Sequence, residues 1–215
     1  MAVTVSLTRR ILSGTVLGIL AIFFVFLSPY SLLAAVAVLG VLALSEFHNL
    51  QKGITHNRIG FVFLGVCFIV IPLLFAVLIR WKTHGDWRLF LVIVATAMCD
   101  TFAYFIGKVI GKYKLAPRIS PGKTVEGTIG GILFCIATIV ALGGRAGIPV
   151  EHRFILGLIL GFGAVLGDLF ESYLKRIAGV KDSGDILPGH GGILDRIDSH
   201  LATLVLAYFY YSFIL

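Results

Sequence analysis

Charged side chains are scarce in this 215-residue sequence: Asp, Glu, Lys and Arg make up only 13% of it, whereas 58% is hydrophobic. Soluble domains carry about 25% charged residues, so the composition excludes an ordinary soluble protein and predicts an integral membrane protein. Acids are scarcer than bases, at 11 against 18, which gives a formal net charge of +7. In a membrane protein this excess is typical of cytoplasmic loops that face anionic headgroups, and we expect no nucleic-acid partner.

Cysteine is also rare. The three cysteines, Cys67, Cys99 and Cys135, lie within apolar runs and lack the spacing of a metal site. This excludes a disulfide-stabilised scaffold and a Cys-type zinc centre. We expect buried, reduced thiols.

Uncharged runs are long. The 35 residues from Ile11 to Ser45 contain no charge, and one helix of that length would measure about 50 Å against a hydrocarbon core of about 30 Å. The run must therefore fold back, and Ser28-Pro29-Tyr30 is the expected turn. Two helices here and five further apolar runs predict an all-α, polytopic integral membrane protein with about seven transmembrane helices in one domain, residues 1–215. The five further runs are Ile59–Ile79, Leu89–Gly107, Gly127–Leu142, Phe154–Leu174 and Ser199–Leu215.

The distribution of basic residues predicts the orientation. With a cytoplasmic N-terminus, 13 Lys and Arg residues fall on the inner side and 5 on the outer side, as the positive-inside rule requires. The two most polar loops, Lys108–Glu126 and Lys175–Asp198, then lie on the cytoplasmic side together. We expect a multi-pass protein of the cell (inner) membrane, with a polar site facing the cytoplasm in its C-terminal half.

Acidic residues cluster in this half. Eight of the eleven lie in or beside the last four predicted helices: Asp100, Glu126, Asp168, Glu171, Asp182, Asp185, Asp195 and Asp198. A carboxylate within a membrane helix costs about 2.5–3.5 kcal/mol on insertion scales, so such acids are functional candidates by default. Asp168, Glu171 and Lys175 follow helical spacing, as do Asp195 and Asp198, so several helices can direct acids into one polar hollow.

Oxygen ligands without cysteine suit Mg²⁺ better than zinc, and a second cation is an open alternative. The competing interpretation is that these acids only form internal salt bridges with the neighbouring Lys and Arg residues. The segment Ser120–Gly127, "SPGKTVEG", offers an anion-binding helix start, but an ordinary turn and helix cap explain it as well.

These residues resemble the phosphatidate cytidylyltransferases, also called CDP-diacylglycerol synthases. The family signature S-x-x-K-R-x4-K-D-x5-P-G-H-G-G-x-x-D-R-x-D is matched from Ser172 to Asp198. Asp100 with Tyr104, the segment Ser120–Gly127 and Gly167-Asp168 also look like family elements. The resemblance covers roughly the C-terminal half, so residues 89–215 are expected to be the catalytic half and residues 1–80 generic N-terminal helices.

The resemblance implies transfer of CMP from CTP to phosphatidic acid, with release of pyrophosphate. It implies CTP, phosphatidic acid and the lipid bilayer as partners, and a homodimer as the family expectation. The expected metal ligands are Asp168 and Asp195, with Asp100 and Asp198 as further ligands or supporting acids. The other catalytic candidates, expected to hold phosphates, are Lys175, Arg176, Lys181 and Arg196. The substrate-binding candidates are Tyr104, Ser120, Lys123, Thr124, Glu126, Ser172, Asp182, His190, Gly191 and Gly192.

Three other functions compete with this one. A related cytidylyltransferase acting on another lipid phosphate would share the acidic motifs. An ion-coupled transporter would also bury acids, but it would more often carry polar groups along a complete path, which the first three predicted helices lack. A CDP-alcohol phosphotransferase should show a DGxxAR-type motif, which the sequence does not contain.

Overall fold

The structure is a computed structural model that describes residues 2–51, 58–184 and 191–215, with side chains described at 14–50, 60–184 and 191–215. Helix accounts for nearly all of this part of the chain. The helices are α1 (Ala2–Leu27), α2 (Pro29–Gln51), α3 (Arg58–Gly65), which continues through a π-helical turn (Val66–Val70) into α4 (Ile71–Arg80), α5 (Gly85–Ile110), α6 (Val125–Leu142), α7 (Val150–Ile177) and α8 (Leu194–Phe213).

Five helical segments within the described ranges are long and apolar enough to cross a membrane: Pro29–Leu50, Gly60–Arg80, Gly85–Ile110, Val125–Leu142 and Val150–Ile177. Helix α1 contributes a shorter apolar stretch, Gly14–Leu27. Helix α8 is not among the five, and its first turns carry three charged residues, Asp195, Arg196 and Asp198. The chain is thus a multi-pass membrane protein, whereas the count of seven spans stays a prediction.

The structure confirms a helix break at the expected position, Ser28. Helix α1 ends at Leu27 and α2 begins at Pro29, because proline suits the first helical position, where its missing N–H is not needed. The Ser31 N–H donates to Ser28 Oγ at 3.0 Å, and the Ser28 N–H donates to Ser31 Oγ at 3.1 Å. This reciprocal cap satisfies N–H groups that the start of α2 would otherwise leave without partners.

A short hairpin interrupts the all-α pattern and corrects the prediction. Strand β1 (Lys114–Ala116) pairs antiparallel with β2 (Ser120–Thr124), with Lys114 opposite Thr124. We expected either an anion-binding helix start or an ordinary turn and helix cap here, and no strand, because these polar residues lack the alternating hydrophobic pattern of a strand. The cap itself is present: Thr124 Oγ1 accepts a hydrogen bond from the Gly127 N–H at 3.1 Å.

Glycines allow the last four helices to pack closely. A Cβ atom on Gly131 of α6 would lie 2.5 Å from the Cys99 carbonyl oxygen of α5, and one on Gly167 of α7 would lie 2.7 Å from the Asp198 carbonyl oxygen of α8. Small residues are typical of such contacts because helices in lipid associate through close backbone packing. Cys99 and Cys135 are buried in this core as expected, whereas Cys67 is only half-buried, and all three cysteines are free thiols.

Substituting Gly131 tests this packing. Gly131→Ala should lower the thermal unfolding midpoint in detergent, because an added methyl group forces α5 and α6 apart at a typical cost of about 1–3 kcal/mol. Gly18→Ala in α1 is the matched control, since a Cβ there meets nothing within 4 Å. Equal midpoints for the two variants would contradict the close α5–α6 contact.

The alternating direction of the helices places the polar residues at one end of the bundle. Helices α5 and α7 end there and α6 and α8 begin there, next to the hairpin. Asp100 and Asp168 lie in the second halves of α5 and α7, whereas Asp195 and Asp198 lie in the first turns of α8. The fold therefore gathers acids that are up to 98 residues apart in the sequence.

Candidate active site

Two adjoining cavities open at this end of the bundle. The larger one, of about 560 Å³, lies between α5, α6, α7 and the hairpin, and its lining includes Lys108, Lys114 and Lys123. The smaller one, of about 340 Å³, is lined by Lys175, Asp182, Asp195, Arg196, Asp198 and Ser199 together with Asp100 and Asp168. Asp100 and Asp168 also line the larger cavity, so the two spaces share a carboxylate wall and each has basic side chains.

The shared wall has few positive charges to balance it. Lys123 Nζ lies 2.7 Å from Asp168 Oδ2, and Ser172 Oγ donates to Asp168 Oδ1 at 3.2 Å. Asp100 Oδ1 accepts a hydrogen bond from Ser199 Oγ at 3.2 Å. Asp198 is only 8% exposed and lines the smaller cavity together with Asp168 and Asp100. Of these three carboxylates, only Asp168 forms an ion pair with a described side chain, Lys123.

Lys175 forms an ion-pair cluster beside this wall. Its Nζ lies 2.6 Å from Asp195 Oδ1 and also pairs with Glu171 Oε2, one helical turn away in α7. Glu171 is fully buried and Lys175 is 8% exposed. The salt-bridge interpretation of the sequence therefore describes Glu171, Asp195 and, through Lys123, Asp168 in this structure, whereas Asp100 and Asp198 have no ion pair among the described residues.

Asp195, a predicted metal ligand, has both carboxylate oxygens in use. The Ser183 N–H donates to Oδ2 at 3.1 Å and the Gly192 N–H donates to Oδ2 at 2.8 Å, while Lys175 contacts Oδ1. Burial by itself would raise the pKa of the Asp195 carboxyl, but Lys175 and these N–H groups outweigh it and hold that pKa below its usual range. The arrangement suits a carboxylate that fixes Lys175 and the start of α8.

The donor chemistry at the shared wall fits Mg²⁺. In residues 2–51, 58–184 and 191–215, no three His, Cys, Asp or Glu side chains form a group that could hold a metal by themselves. Mg²⁺ is commonly held by one or two carboxylates, with substrate phosphates and water completing its coordination. Asp100, Asp168 and Asp198 line one cavity and supply carboxylate oxygens, so they are the side chains that suit such an ion.

The other basic candidates occupy different positions. Arg196 lines the smaller cavity. Arg176 donates from Nε to the Ile119 carbonyl oxygen and from Nη1 to the Val180 carbonyl oxygen, both at 3.1 Å, which ties the end of α7 to the hairpin. Lys181 is exposed and lines neither cavity.

The substrate-binding candidates divide between the two cavities. Ser120, Lys123, Thr124 and Tyr104 line the larger one, and Asp182 lines the smaller one.

The remaining candidates have structural contacts. Glu126 accepts a hydrogen bond from the Tyr113 N–H at 3.2 Å and lines neither cavity. Ser172 contacts Asp168. Gly191 has a positive φ of 81°, which favours glycine, and Gly192 binds Asp195 through its N–H. His190 lies outside the described residues.

Sequence reasoning missed Glu46. This residue of α2 is 2% exposed, and its carboxylate accepts hydrogen bonds from Ser183, Ile193 and Leu194 beside the site. The available signal was its isolation, since Glu46 is the first acid in the chain and follows a long apolar run. An acid in such a run calls for a polar partner elsewhere.

The geometry defines a class of protein: a multi-pass membrane protein with an acidic wall shared by two cavities that also carry basic side chains. Such a site suits anionic, phosphate-bearing substrates. Comparison with protein families agrees with this description. The model of the Cytidylyltransferase family matches residues 50–214. The chain belongs to this family, and the resemblance inferred from the sequence motifs is confirmed.

The relatives that it matches are named phosphatidate cytidylyltransferases. The Bacillus subtilis protein is 43% identical over 178 residues, 81% of this chain and 66% of that protein. The Rickettsia bellii protein is 37% identical over 220 residues, 95% of this chain and 90% of that protein. Phosphatidate cytidylyltransferase 5, chloroplastic, from Arabidopsis thaliana, is 42% identical over 139 residues, 60% of this chain and 35% of that protein.

Proposed function

We propose that the protein is a nucleotidyltransferase of phospholipid biosynthesis that transfers CMP from CTP to phosphatidic acid. A phosphate oxygen of phosphatidic acid forms a bond to the α-phosphorus of CTP, the α–β phosphoanhydride bond breaks, and pyrophosphate leaves with the bonding electrons. The products are CDP-diacylglycerol and pyrophosphate. The proposal is supported by the family membership and by the names of the relatives.

The observation that carries the proposal is the pair of cavities with a common wall. The reaction joins two anionic substrates, and each cavity has basic side chains that can bind phosphate. Asp100 and Asp168 stand where the two spaces meet, so phosphates bound on either side would approach each other at this wall. Bringing two reactants together in a fixed geometry can account for a large part of a catalytic barrier.

The side chains suit a reaction limited by charge repulsion. The lipid phosphate is already anionic, so it scarcely needs a general base, and the barrier arises from the approach of two anions. Lys123 can orient a phosphate beside Asp168, and Lys175 and Arg196 can neutralise charge in the smaller cavity. Arg196 can bind phosphate through two N–H groups at once.

Magnesium belongs to the proposal. Asp100, Asp168 and Asp198 would hold the ion, with Asp195 positioning Lys175 beside them, and a second cation is an open alternative. When bound, the ion would neutralise phosphate charge at the shared wall. The carboxylates themselves orient Lys123 and Ser199 through the contacts described above.

Orientation and location complete the proposal. The excess of Lys and Arg on one side supports a cytoplasmic N-terminus and a cytoplasmic active site in the cell (inner) membrane. CTP would then reach the cavities from the cytosol, while phosphatidic acid arrives from the bilayer. The seven-helix topology and the single domain of residues 1–215 are proposed from the apolar runs of the sequence, and a homodimer from the family resemblance.

The test is conversion of radiolabelled CTP by purified protein in detergent with phosphatidic acid. We expect CDP-diacylglycerol in the presence of Mg²⁺ and a loss of product when EDTA removes the metal. Product with an ether-linked lipid phosphate or a polyprenyl phosphate, but none with phosphatidic acid, would overturn the choice of lipid. No transfer to any of these acceptors would refute the proposed reaction and favour the transporter alternative.

A further inference from the structure

Glu46 is a buried carboxylate in a helix that carries none of the proposed catalytic residues. It lies near the end of α2 and is 2% exposed, between the buried residue Phe47 and the exposed Ser45. Burying an ionised carboxylate is costly unless hydrogen bonds or opposite charges compensate for it. The partners of Glu46 therefore indicate why the residue is there.

Those partners lie at the start of α8. The Ile193 N–H donates to Glu46 Oε1 at 2.9 Å, and the Leu194 N–H donates to Oε2 at 2.8 Å. The first N–H groups of a helix lack partners within the helix, and an apolar residue such as Ile193 cannot cap them with its own side chain. Glu46 supplies this cap from α2, and its negative charge also suits the positive end of the helix dipole.

The same carboxylate contacts the chain on both sides of residues 185–190. Ser183 Oγ donates to Glu46 Oε2 at 3.3 Å. A Cβ atom on Gly184 would lie 2.8 Å from Glu46 Oε1, and one on Gly192 would lie 2.5 Å from Glu46 Oε2. Glycine at both positions is what allows the backbone to approach the carboxylate so closely.

These contacts lead directly to the basic cluster of the active site. Ser183 and Gly192, which contact Glu46, also donate their N–H groups to Asp195, and Asp195 binds Lys175. Glu46 and Asp195 thus both contact the same two backbone segments. A shift of these segments would move Asp195, and with it the ammonium group that faces the smaller cavity.

The geometry points to Glu46 as a positioning residue for the proposed transfer: by capping α8 from α2, it fixes the backbone that holds Asp195 and Lys175 in place. This inference rests on the proposed function. It assigns a role in catalysis to the N-terminal part of the chain, which the sequence indicated to be generic membrane helix. It also concerns a residue that precedes the part matched by the family model, residues 50–214.

The test compares Glu46→Gln, Glu46→Asp and the neighbouring control Ser45→Ala in full-length protein purified in detergent. Glu46→Gln should lower kcat by about 10-fold or more, as expected for loss of a residue that orients active-site groups. The KM values for CTP and phosphatidic acid should change by less than about threefold, because the substrate contacts remain. Glu46→Asp keeps the charge and should fall between Glu46→Gln and the wild-type protein, while Ser45→Ala should match the wild type.

Hydrogen–deuterium exchange supplies a second measurement that does not depend on activity. Glu46→Gln should speed exchange at residues 191–198 and leave exchange in α6 unchanged, because the lost hydrogen bonds are local. Faster exchange throughout the bundle would overturn a specific positioning role, as would unchanged exchange at residues 191–198. Local loosening with wild-type kcat would likewise overturn the role in catalysis.

Two further comparisons distinguish a failure of this inference from a failure to obtain the variant or from a failure of the proposed function. If Glu46→Gln does not yield monodisperse protein, Ser183→Ala removes one donor and leaves Glu46 in place, and it must lower kcat and loosen residues 191–198 for the inference to stand. If wild-type protein transfers no CMP, the proposed function fails. The exchange measurement then still decides whether Glu46 caps α8.

Discussion

Asp168→Asn is expected to lower the rate of CDP-diacylglycerol formation by about 100-fold or more, a loss typical of removing one group that stabilises charge in a transition state. Asp168 lines both cavities and forms the ion pair with Lys123. Asparagine keeps the size of the side chain and removes its charge, so both the proposed cation and Lys123 lose their anionic partner. The measurement is kcat at saturating CTP and phosphatidic acid across a series of Mg²⁺ concentrations.

The matched control is Asp86→Asn. Asp86 lies in the first turn of α5, at the end of that helix away from the acidic wall, where its Oδ1 accepts a hydrogen bond from the Trp87 N–H at 2.8 Å. It should keep wild-type activity. If Asp168→Asn retained more than half of the wild-type kcat, with an unchanged Mg²⁺ requirement, Asp168 would have no part in holding the ion.

Lys175→Met should both lower the stability of the protein and abolish most of its activity. Removing the ammonium group leaves the fully buried Glu171 and the partly buried Asp195 without the cation that they share. Breaking a buried ion pair in this way costs about 3–5 kcal/mol. The thermal unfolding midpoint in detergent should therefore fall well below that of Lys112→Met, a control at an exposed lysine.

A second substitution separates stability from catalysis. Glu171→Gln in the Lys175→Met background removes one of the two unpaired charges, so the unfolding midpoint should partly recover. Activity should stay low, because no ammonium group would face the smaller cavity at this position. Recovery of activity together with stability would show that Lys175 acts only by stabilising the fold.

The acidic cluster was predictable because burying charge in a membrane is costly. Asp100 and Asp168 stand out in apolar helices, and the spacing of Asp195 and Asp198 follows one helical face. The structure brings Asp100, Asp168, Asp195 and Asp198 to one cavity. Sequence spacing thus identified the residues, but not the partner that each one takes.

The partners depend on contacts between distant parts of the chain. Asp195 was predicted as a metal ligand, yet its oxygens bind Lys175, Ser183 and Gly192. Arg176, a predicted phosphate ligand, donates to two backbone carbonyl oxygens in this structure. The residues that surround an Asp or an Arg in the sequence do not reveal whether its side chain binds a phosphate, a metal ion or another side chain.

By itself, the sequence predicted an all-α, multi-pass membrane protein that resembles the phosphatidate cytidylyltransferases, because charge is excluded from membrane helices and the motif residues have the family's spacing. The tertiary structure alone decided that the Ser120–Thr124 segment pairs as a strand, that Asp100 and Asp168 form a wall between two cavities, and that Glu46 caps α8. The reason is physical. Local composition and helical periodicity specify which residues avoid lipid, whereas the partner of a buried polar group is set by long-range packing, which brings Glu46 to a helix start 147 residues further along the chain.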